Sequence, residues 1–274
     1  MVEDTESRQD IDAFAETEST DFKLIQVDSR QGIVRITLNK PPANLLSTEL
    51  LQELARALES LEYQPEVKLV VFLGSGGYFS AGFELNDHLG DRAYIMLESY
   101  RRVFEALAKV DKPTLAVVAG PALGAGCLLA VACDIVLAAE SAKLAHPEIR
   151  GGVFNTMAAA LLPRLVGRKK ALEMLLLGTT LGAAEAQRVG LITRVVPDAR
   201  LEAEAAALVQ RFEESSAPIM QMARRAIAGG LDLPLEEAVR HAEDVYLNQL
   251  MATEDVHEGL RAVAEKRKPV WKDR

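Results

Sequence analysis

Residues 112–134 read KPTLAVVAGPALGAGCLLAVACD, and this stretch decides the fold. The apolar run at residues 114–119 predicts a buried strand, a Gly-Pro pair ends it, and small residues open a helix near Gly124. No residue between Pro113 and Cys133 is charged. Free backbone N–H groups at the start of a helix bind anions when they face a cleft, and small residues let a ligand approach closely.

Three other interpretations of this stretch compete with a ligand site. A membrane span needs about 20 apolar residues, but the Gly-Pro pair interrupts the run and its apolar residues are mostly Ala and Val. A dinucleotide-binding turn needs a third Gly where Leu129 stands, and the next strand begins near Asp134, too soon for a normal crossover helix. The third interpretation is a plain core strand and helix, which only the rest of the chain can decide.

The composition predicts a globular protein with a sizeable core and no nucleic-acid partner. The chain has 274 residues, 49% of them hydrophobic, and a net charge of −9. Seven acids and one base fall in residues 1–20, so this segment carries −6 and the remaining chain carries −3. A nearly neutral body does not favour nucleic acid. The first 20 residues lack the apolar core of a signal peptide and predict an acidic, disordered tail.

The two cysteines, Cys127 and Cys133, both lie in the uncharged stretch. We interpret them as buried free thiols of a protein in the reducing cytoplasm, rather than as a disulfide or a metal site. No spacing typical of metal ligands appears in the sequence, and no membrane association is expected.

Short strands alternate with helices over most of the chain, which predicts right-handed β-α crossover units. We expect an acidic tail at residues 1–20, an α/β core at 21–198 and a helical region at 199–274. The core should contain a hairpin at 22–38, a helix from Ser47 to about residue 62, strands at 67–73 and 135–139, and a helix at 91–110. In the C-terminal region we expect helices near 199–214, 217–229, 234–248 and 253–266.

Four short motifs in this order resemble the crotonase (enoyl-CoA hydratase/isomerase) superfamily. They are ITLNKP at 36–41, FSAGF at 79–83, GPALGAGC at 120–127 and PEI at 147–149, and the ending EKRKPVWK at 265–272 is also similar. The resemblance implies an α/β spiral of β-β-α units with a C-terminal helical region for oligomerisation. Family members form trimers, often paired into hexamers, so we expect a homotrimer or a homohexamer.

Within this family the chain is most similar to the cyclic dienoyl-CoA hydratases of anaerobic aromatic-ring degradation. This finer resemblance is carried by ELNDH at 84–88, PEIR at 147–150, GVF at 152–154, YLNQLM at 246–251 and EGL at 258–260.

The resemblance implies an acyl thioester of coenzyme A as substrate and no other cofactor. Backbone N–H groups of Phe83 and Ala125 would stabilise the negative charge that develops on the thioester oxygen. Glu148 occupies the acid/base position, and we expect a dry, apolar pocket to raise its pKa. The competing interpretation is a structural Glu that caps a turn.

Leu128 departs from the family pattern, because hydratases carry a second Glu there and use both carboxylates to hold water. A single remaining carboxylate resembles the double-bond isomerases of the family. We therefore keep three possibilities open: hydration by Glu148 with help from Asn155 or an Asp87–His88 pair, isomerisation by Glu148 alone, and a non-catalytic CoA-binding or partner-binding protein. Relatives that bind RNA are disfavoured by the charge of the body.

The resemblance also suggests residues that contact the substrate. Some residues of this region also have a purely structural interpretation. His88 could form part of a helix or loop wall, and His146 could serve packing or a backbone hydrogen bond. The basic residues near Lys268 could be a solvated helix end rather than a site for CoA phosphates. The predicted substrate-binding residues are Ala43, Ala81, Gly82, Leu85, His88, Gly124, Leu128, Asn155 and Lys268.

Overall fold

The computed structural model describes residues 22–274, so the tail predicted at residues 1–20 lies outside the described part. It begins with the antiparallel strands β1 (Ile25–Arg30) and β2 (Ile33–Leu38). Gln31 and Gly32 join them with φ angles of 51° and 79°. Two consecutive positive φ angles suit the tight turn whose twist matches that of a hairpin. The predicted hairpin is confirmed, and its turn lies slightly later than the expected position at about residues 29–31.

Helix α1 (Thr48–Leu61) begins where the sequence predicts, because the Ser47 hydroxyl accepts a hydrogen bond from the Leu50 N–H. Its leucines recur at helical spacing and are buried against the sheet and the next helix, α2 (Arg92–Lys109). The leucines on this face are Leu50, Leu51, Leu54, Leu58 and Leu61.

A six-stranded sheet forms the centre of the molecule, and every pair after the hairpin is parallel. The parallel strands are short and mostly apolar because helices cover them. The strand order is β1-β2-β3-β4-β6-β9, with β3 (Leu69–Gly74), β4 (Thr114–Val118), β6 (Ile135–Ala139) and β9 (Arg194–Val196).

A second, three-stranded sheet was not expected from the sequence. Its strands have two or three residues each, too few for a periodic signal. Their order is β5 (Ala122–Leu123), β7 (Lys143–Ala145) and β8 (Thr180–Gly182). Helix α3 (Ala125–Val131) follows β5 directly and has only seven residues, so the crossover of a dinucleotide-binding fold does not form here.

Of the remaining helices, the four predicted in the C-terminal region lie near their expected positions. Helix α4 (Thr156–Leu177) is kinked at Gly167, whose φ of 75° and ψ of 161° are not helical, and α5 (Ala183–Arg188) leads into the last strand. The C-terminal helices are α6 (Leu201–Glu213), α7 (Ala217–Gly230), α8 (Leu235–Asp244) and α9 (Glu254–Ala264). None of the helices within residues 22–274 combines the length and apolar composition that crossing a membrane requires.

The C-terminal helices are attached to the α/β body by polar contacts. Gln221 on α7 donates to the backbone carbonyl of Val67 at 3.0 Å, and Arg224 pairs with Asp134 at 2.8 Å. The last strand of the body is β9, and the C-terminal helices begin with α6. The fold is therefore the expected α/β spiral with a helical C-terminal region.

Candidate active site

The turn that contains Phe83 lies beside α1 through a short backbone bridge. The Leu46 N–H donates to the Gly82 carbonyl at 2.8 Å, and the Glu84 N–H donates to the Leu46 carbonyl at 3.3 Å. Because these two bonds use the residues on either side of Phe83, the Phe83 N–H is directed away from Leu46.

The same turn packs closely against the turn that opens α3. The Leu123 N–H donates to the Ser80 carbonyl at 2.8 Å. A Cβ atom placed on Gly82 would lie 3.6 Å from the Ala125 nitrogen, and the φ of Gly82 is 98°. A residue with no side chain is needed at this position, because a larger one would fill the space beside the Ala125 N–H and strain the backbone.

Ala125 is the first residue of α3, so its N–H has no acceptor within that helix. The preceding Gly124 N–H donates to the Ala145 carbonyl at 2.7 Å, which fixes the start of the helix to β7. Among residues 22–274, no backbone carbonyl accepts a hydrogen bond from the N–H of Phe83 or Ala125. Two N–H groups from adjacent turns are thus available to polarise a carbonyl oxygen.

Glu148 lies directly against the start of α3. Its Oε1 atom is 2.7 Å from the position that a Cβ on Gly124 would take, so only glycine leaves room for the carboxylate. Asn155 Nδ2 donates to the same Oε1 at 3.2 Å and contacts the Tyr100 hydroxyl at 3.3 Å. The structure therefore brings Glu148 and Asn155 together beside Gly124 and Ala125 at the start of α3.

The expected direction of the Glu148 pKa is wrong. Burial does raise the pKa of this carboxyl, but His146, the backbone of Glu148 and the Asn155 amide lower it more, so the net pKa lies below its ordinary value. An apolar pocket alone would raise this pKa, but the neighbouring imidazole reverses the direction.

His146 does not have the backbone hydrogen bond that the sequence suggested. The residue is 1% exposed, and neither ring nitrogen has a hydrogen-bond partner within the described part of the chain. Its Nδ1 lies 3.8 Å from Glu148 Oε1. Burial lowers the pKa of His146, whereas Cys127 and Glu148 raise it, and the net direction is upward.

Aromatic rings form one wall beside Phe83. The Phe83 ring meets the His88 ring edge to face at 5.5 Å and the Tyr100 ring at 4.7 Å. The Tyr100 hydroxyl contacts the Ala125 carbonyl at 3.4 Å, and burial raises the pKa of this hydroxyl. Sequence reasoning missed Tyr100, because its position on the apolar face of α2 is typical of an ordinary core residue.

The Asp87 carboxylate makes structural hydrogen bonds, which argues against its activating water together with His88. Its carboxylate accepts hydrogen bonds from the Thr48 N–H at 2.8 Å and from the Thr48 hydroxyl at 3.1 Å. It therefore caps the start of α1. Of the two helpers considered for Glu148, only Asn155 makes a hydrogen bond to the carboxylate.

The other predicted contact residues lie around this cluster or in the core. The Ala81 N–H donates to the Ala43 carbonyl at 2.9 Å, which joins these two positions, and Leu85 is 77% exposed. Leu128 is fully buried in the main hydrophobic core. Cys127 and Cys133 are buried free thiols, as expected.

Lys268 lies in the exposed segment after α9. Five residues farther along this segment, Asp273 pairs with Lys68 at 3.0 Å, immediately before β3 begins, whereas the turn of Phe83 follows the end of β3. Six strand residues at about 3.3 Å each separate these two ends by about 20 Å. The neighbouring Arg267 is occupied by Glu258 and Glu265.

No group of three His, Cys, Asp or Glu side chains within residues 22–274 is arranged to hold a metal ion. The chemistry that these residues can perform is polarisation of a carbonyl by backbone N–H groups and proton transfer by one carboxylate.

Comparison with known proteins shows the family of the chain. Residues 28–274 match the family model described as Enoyl-CoA hydratase/isomerase. The chain is 36% identical over 255 residues to the probable enoyl-CoA hydratase echA8 of Mycobacterium bovis, covering 92% of this chain and 98% of that protein. It is 33% identical over 251 residues to the 2,3-dehydroadipyl-CoA hydratase of Escherichia coli, covering 90% and 98%.

Solved structures give the same result for the fold. The enoyl-CoA hydratase of Mycobacterium smegmatis superposes with a TM-score of 0.86 at 32% identity, covering 91% of this chain and 99% of that one. The enoyl-CoA hydratase of Bacillus anthracis superposes with a TM-score of 0.86 at 30% identity, covering 92% and 100%. The chain belongs to the enoyl-CoA hydratase/isomerase family, the crotonase superfamily.

Proposed function

We propose that this protein is an acyl-CoA hydratase, a carbon–oxygen lyase that acts on an unsaturated acyl thioester of coenzyme A. One observation carries the proposal: the Glu148 carboxylate lies against Gly124, the residue immediately before the available N–H of Ala125. A base and a carbonyl-binding N–H therefore lie within one small region, as proton transfer next to a thioester requires.

The backbone N–H groups of Phe83 and Ala125 would bind the thioester oxygen. Negative charge develops there when a nucleophile adds to the conjugated double bond. Donors that are already oriented need no rearrangement at that moment, and each is worth about a hundred- to a thousand-fold in rate. Because the donors belong to the backbone, the Phe and Ala side chains do not weaken the site.

Glu148 would take one proton from water as the hydroxyl oxygen bonds to the β-carbon. The electron pair of the double bond then moves onto the thioester oxygen as an enolate. Glu148 returns the proton to the substrate carbon chain, and the carbonyl re-forms. Water is added without an external acid, and Asn155 holds the carboxylate in place through Oε1.

A cyclic dienoyl-CoA is our preferred substrate class. The support is the similarity of residues 147–154 to the hydratases of aromatic-ring degradation, together with the aromatic wall of Phe83, His88 and Tyr100. Flat rings of this kind suit an unsaturated, planar acyl group.

An enoyl-CoA isomerase is the second candidate, and Leu128 is the observation that favours it. This side chain is fully buried in the apolar core, at the position where the resemblance places a second Glu. One carboxylate is sufficient to move a proton between two carbons. If neither reaction occurs, a non-catalytic CoA-binding protein is the remaining possibility.

Ultraviolet absorbance separates these candidates. The protein is mixed in turn with crotonyl-CoA, a 3-enoyl-CoA and a cyclic dienoyl-CoA. Loss of conjugation is the result expected for hydration, whereas a gain with the 3-enoyl-CoA would indicate isomerisation. Absence of any change, with CoA binding retained, would contradict catalysis.

The Glu148→Gln variant tests the base directly. We expect turnover to fall about a hundred- to ten-thousand-fold, while acyl-CoA binding changes little because the amide keeps the shape of the carboxyl. The exposed Glu140→Gln variant is the matched control and should keep full activity. Full turnover by Glu148→Gln would contradict any mechanism centred on this carboxylate.

We further propose a homotrimer or homohexamer in the cytoplasm. Large apolar side chains on the C-terminal helices and their connections are exposed and suit burial by a second copy: Ile227, Leu231, Leu235, Val239 and Leu247. Light scattering should give three or six times the chain mass of 29.8 kDa.

Lys268 is our candidate contact for the CoA phosphates, and Lys268→Ala should weaken CoA binding without changing the pH profile.

A further inference from the structure

His146 is a buried titratable side chain that the proposed reaction does not use. Its side chain is fully enclosed, and neither ring nitrogen has a hydrogen-bond partner among residues 22–274. The Glu148 Oε2 atom is the other buried side-chain oxygen or nitrogen in this region without a partner. Buried polar groups normally have hydrogen-bond partners, so two neighbouring exceptions require an explanation.

The backbone holds the two side chains in a defined relation. Ala145, at the end of β7, accepts the Gly124 N–H at 2.7 Å, and His146 follows it directly. The short turn Pro147–Gly151 then presents Glu148 toward Gly124. The imidazole and the carboxylate are therefore fixed to the same point, the start of α3.

The separation of 3.8 Å between Nδ1 and Oε1 is longer than a hydrogen bond but short for two opposite charges. Neither ring nitrogen has a hydrogen-bond partner among residues 22–274, and the Glu148 carboxylate is the anion that an imidazolium would face there. Attraction between such groups is strong when water is excluded, and it favours the charged form of both.

We propose that His146 is a positioning residue, whose protonated imidazole keeps Glu148 ionised and aimed at the Gly124–Ala125 turn. The inference rests on the proposed role of Glu148. His146 keeps its proton throughout, while Glu148 alone accepts and returns the proton of the reaction. The imidazolium thus gives the single carboxylate a fixed charged neighbour where Leu128 offers none.

Other titratable groups also surround this pair. The Cys127 thiol approaches the imidazole from α3, and the buried Tyr100 hydroxyl approaches Glu148 from α2. The Arg150 guanidinium is directed to the Gly178 carbonyl at 3.1 Å instead. A test of the pair must therefore separate the effect of Glu148 from that of Cys127.

Nuclear magnetic resonance of the imidazole nitrogens provides this test without measuring activity. The chain has four histidines, so the spectrum is simple. We expect His146 of the wild-type protein to be doubly protonated at pH 7, and its pKa to fall by about one unit or more in Glu148→Gln. Cys127→Ser should leave it protonated. A neutral wild-type imidazole, an unchanged pKa in Glu148→Gln, or deprotonation in Cys127→Ser alone would overturn the proposal.

Kinetics of His146→Gln provide the functional readout. We expect the acidic limb of kcat/KM to move upward by about one pH unit or more, with KM little changed, because the imidazole does not contact the substrate. His257→Gln, on the exposed side of α9, is the matched control and should keep the wild-type profile. An unmoved limb in a folded His146→Gln protein would reduce His146 to a packing role.

The two experiments distinguish failure of this inference from failure of the proposed function. If Glu148→Gln keeps full turnover, the proposed function fails whatever the state of His146. If Glu148→Gln is inactive but His146 titrates independently of it, only the inference fails. Should His146→Gln not fold, the titration of wild type and Glu148→Gln still decides.

Discussion

Glu148 is subject to two opposing influences, and their balance sets its charge. Burial raises the pKa of the carboxyl, whereas His146 and Asn155 lower it by a larger amount. The pKa of His146 moves upward in the same pair. The lowered carboxyl pKa adds stability that is lost as pH falls through it, and the raised imidazole pKa adds stability that is lost as pH rises through it. The pair therefore stabilises the fold most between the ordinary pKa values of the two groups, 4.5 for Glu148 and 6.5 for His146.

The pH dependence of turnover follows from the same signs. Because the folded pKa of Glu148 lies below its ordinary value of 4.5, the carboxylate stays ionised through mildly acidic pH. We expect kcat/KM to hold down to about pH 5 and to fall only as pH passes below the ordinary carboxyl range. Circular dichroism at each pH controls for acid unfolding. An acidic limb near pH 6 to 7 would contradict the prediction and indicate a raised carboxyl pKa.

Substitution of Gly124 should separate an effect on kcat from an effect on the free energy of unfolding. This glycine has a φ of 54° and a ψ of −126°, and an added Cβ would lie 2.7 Å from Glu148 Oε1. Gly124→Ala should therefore displace the carboxylate and lower kcat about a hundredfold. The matched control is Gly190→Ala, with a φ of 80° and open space around it.

Both glycine variants should lose about 1 to 3 kcal/mol of unfolding free energy from backbone strain, measured by urea denaturation. Gly190→Ala should nevertheless keep its activity, because its Cβ meets no neighbouring atom. Equal activity of the two variants would mean that the position of the carboxylate does not limit the rate.

Asn44 is a buried side chain that fixes the turn between β3 and the segment that carries Phe83. Its Nδ2 donates to the carbonyls of Ser75 at 2.8 Å and Tyr78 at 2.9 Å, and its Oδ1 accepts from the Lys40 N–H at 3.0 Å. These bonds join the segment before α1 to the turn after β3. The part of the chain that leads to Phe83 is thus fixed in part by an amide nearly 40 residues earlier.

Removing the Asn44 amide should destabilise this turn. Asn44→Ala leaves buried backbone groups without partners, and we expect a loss of at least about 2 kcal/mol of unfolding free energy together with lower kcat. Gln64→Ala is the control, since its amide donates to the Ser60 carbonyl at the surface, and it should change stability by about 0.5 kcal/mol or less. Urea denaturation of both variants gives the comparison.

At the scale of the whole molecule, the C-terminal segment packs back against the helical region. Asp255 is fully buried and accepts hydrogen bonds from the Ser216 hydroxyl at 2.6 Å and the Lys272 N–H at 2.8 Å. The Trp271 indole donates to the Glu214 carbonyl at 2.8 Å. The last residues therefore return to the junction of α6 and α7 and bind the helical region together.

Loss of the buried carboxylate should release this segment. For Asp255→Ala we expect unfolding free energy to fall by at least about 2 kcal/mol, because several donors lose one shared acceptor. Glu254→Gln is the neighbouring control, and its exposed pairs with Lys272 and Arg274 should contribute much less. A loss in Glu254→Gln as large as that in Asp255→Ala would contradict the central role of Asp255.

The sequence by itself determined the order of the longer helices and strands, and it supplied the candidate site residues as predictions. Ser47 and the leucine spacing of α1 predict a helix from local sequence, because capping and helical spacing do not depend on where the helix packs. The small residues at 124–126 likewise predict a backbone that a ligand can approach. Residues such as Glu148 were identified because short motifs record the chemistry of a family even without coordinates.

Only the tertiary structure decided which polar groups face each other. His146 and Asn155 meet at Glu148, and Asp87 is taken by α1, because the packing of separate elements sets the direction of each side chain. The strands of the small sheet, with two or three residues each, also depend on partners distant in the chain. Burial and neighbouring charge act through space, so the direction of the Glu148 pKa could not be read from its place in the chain.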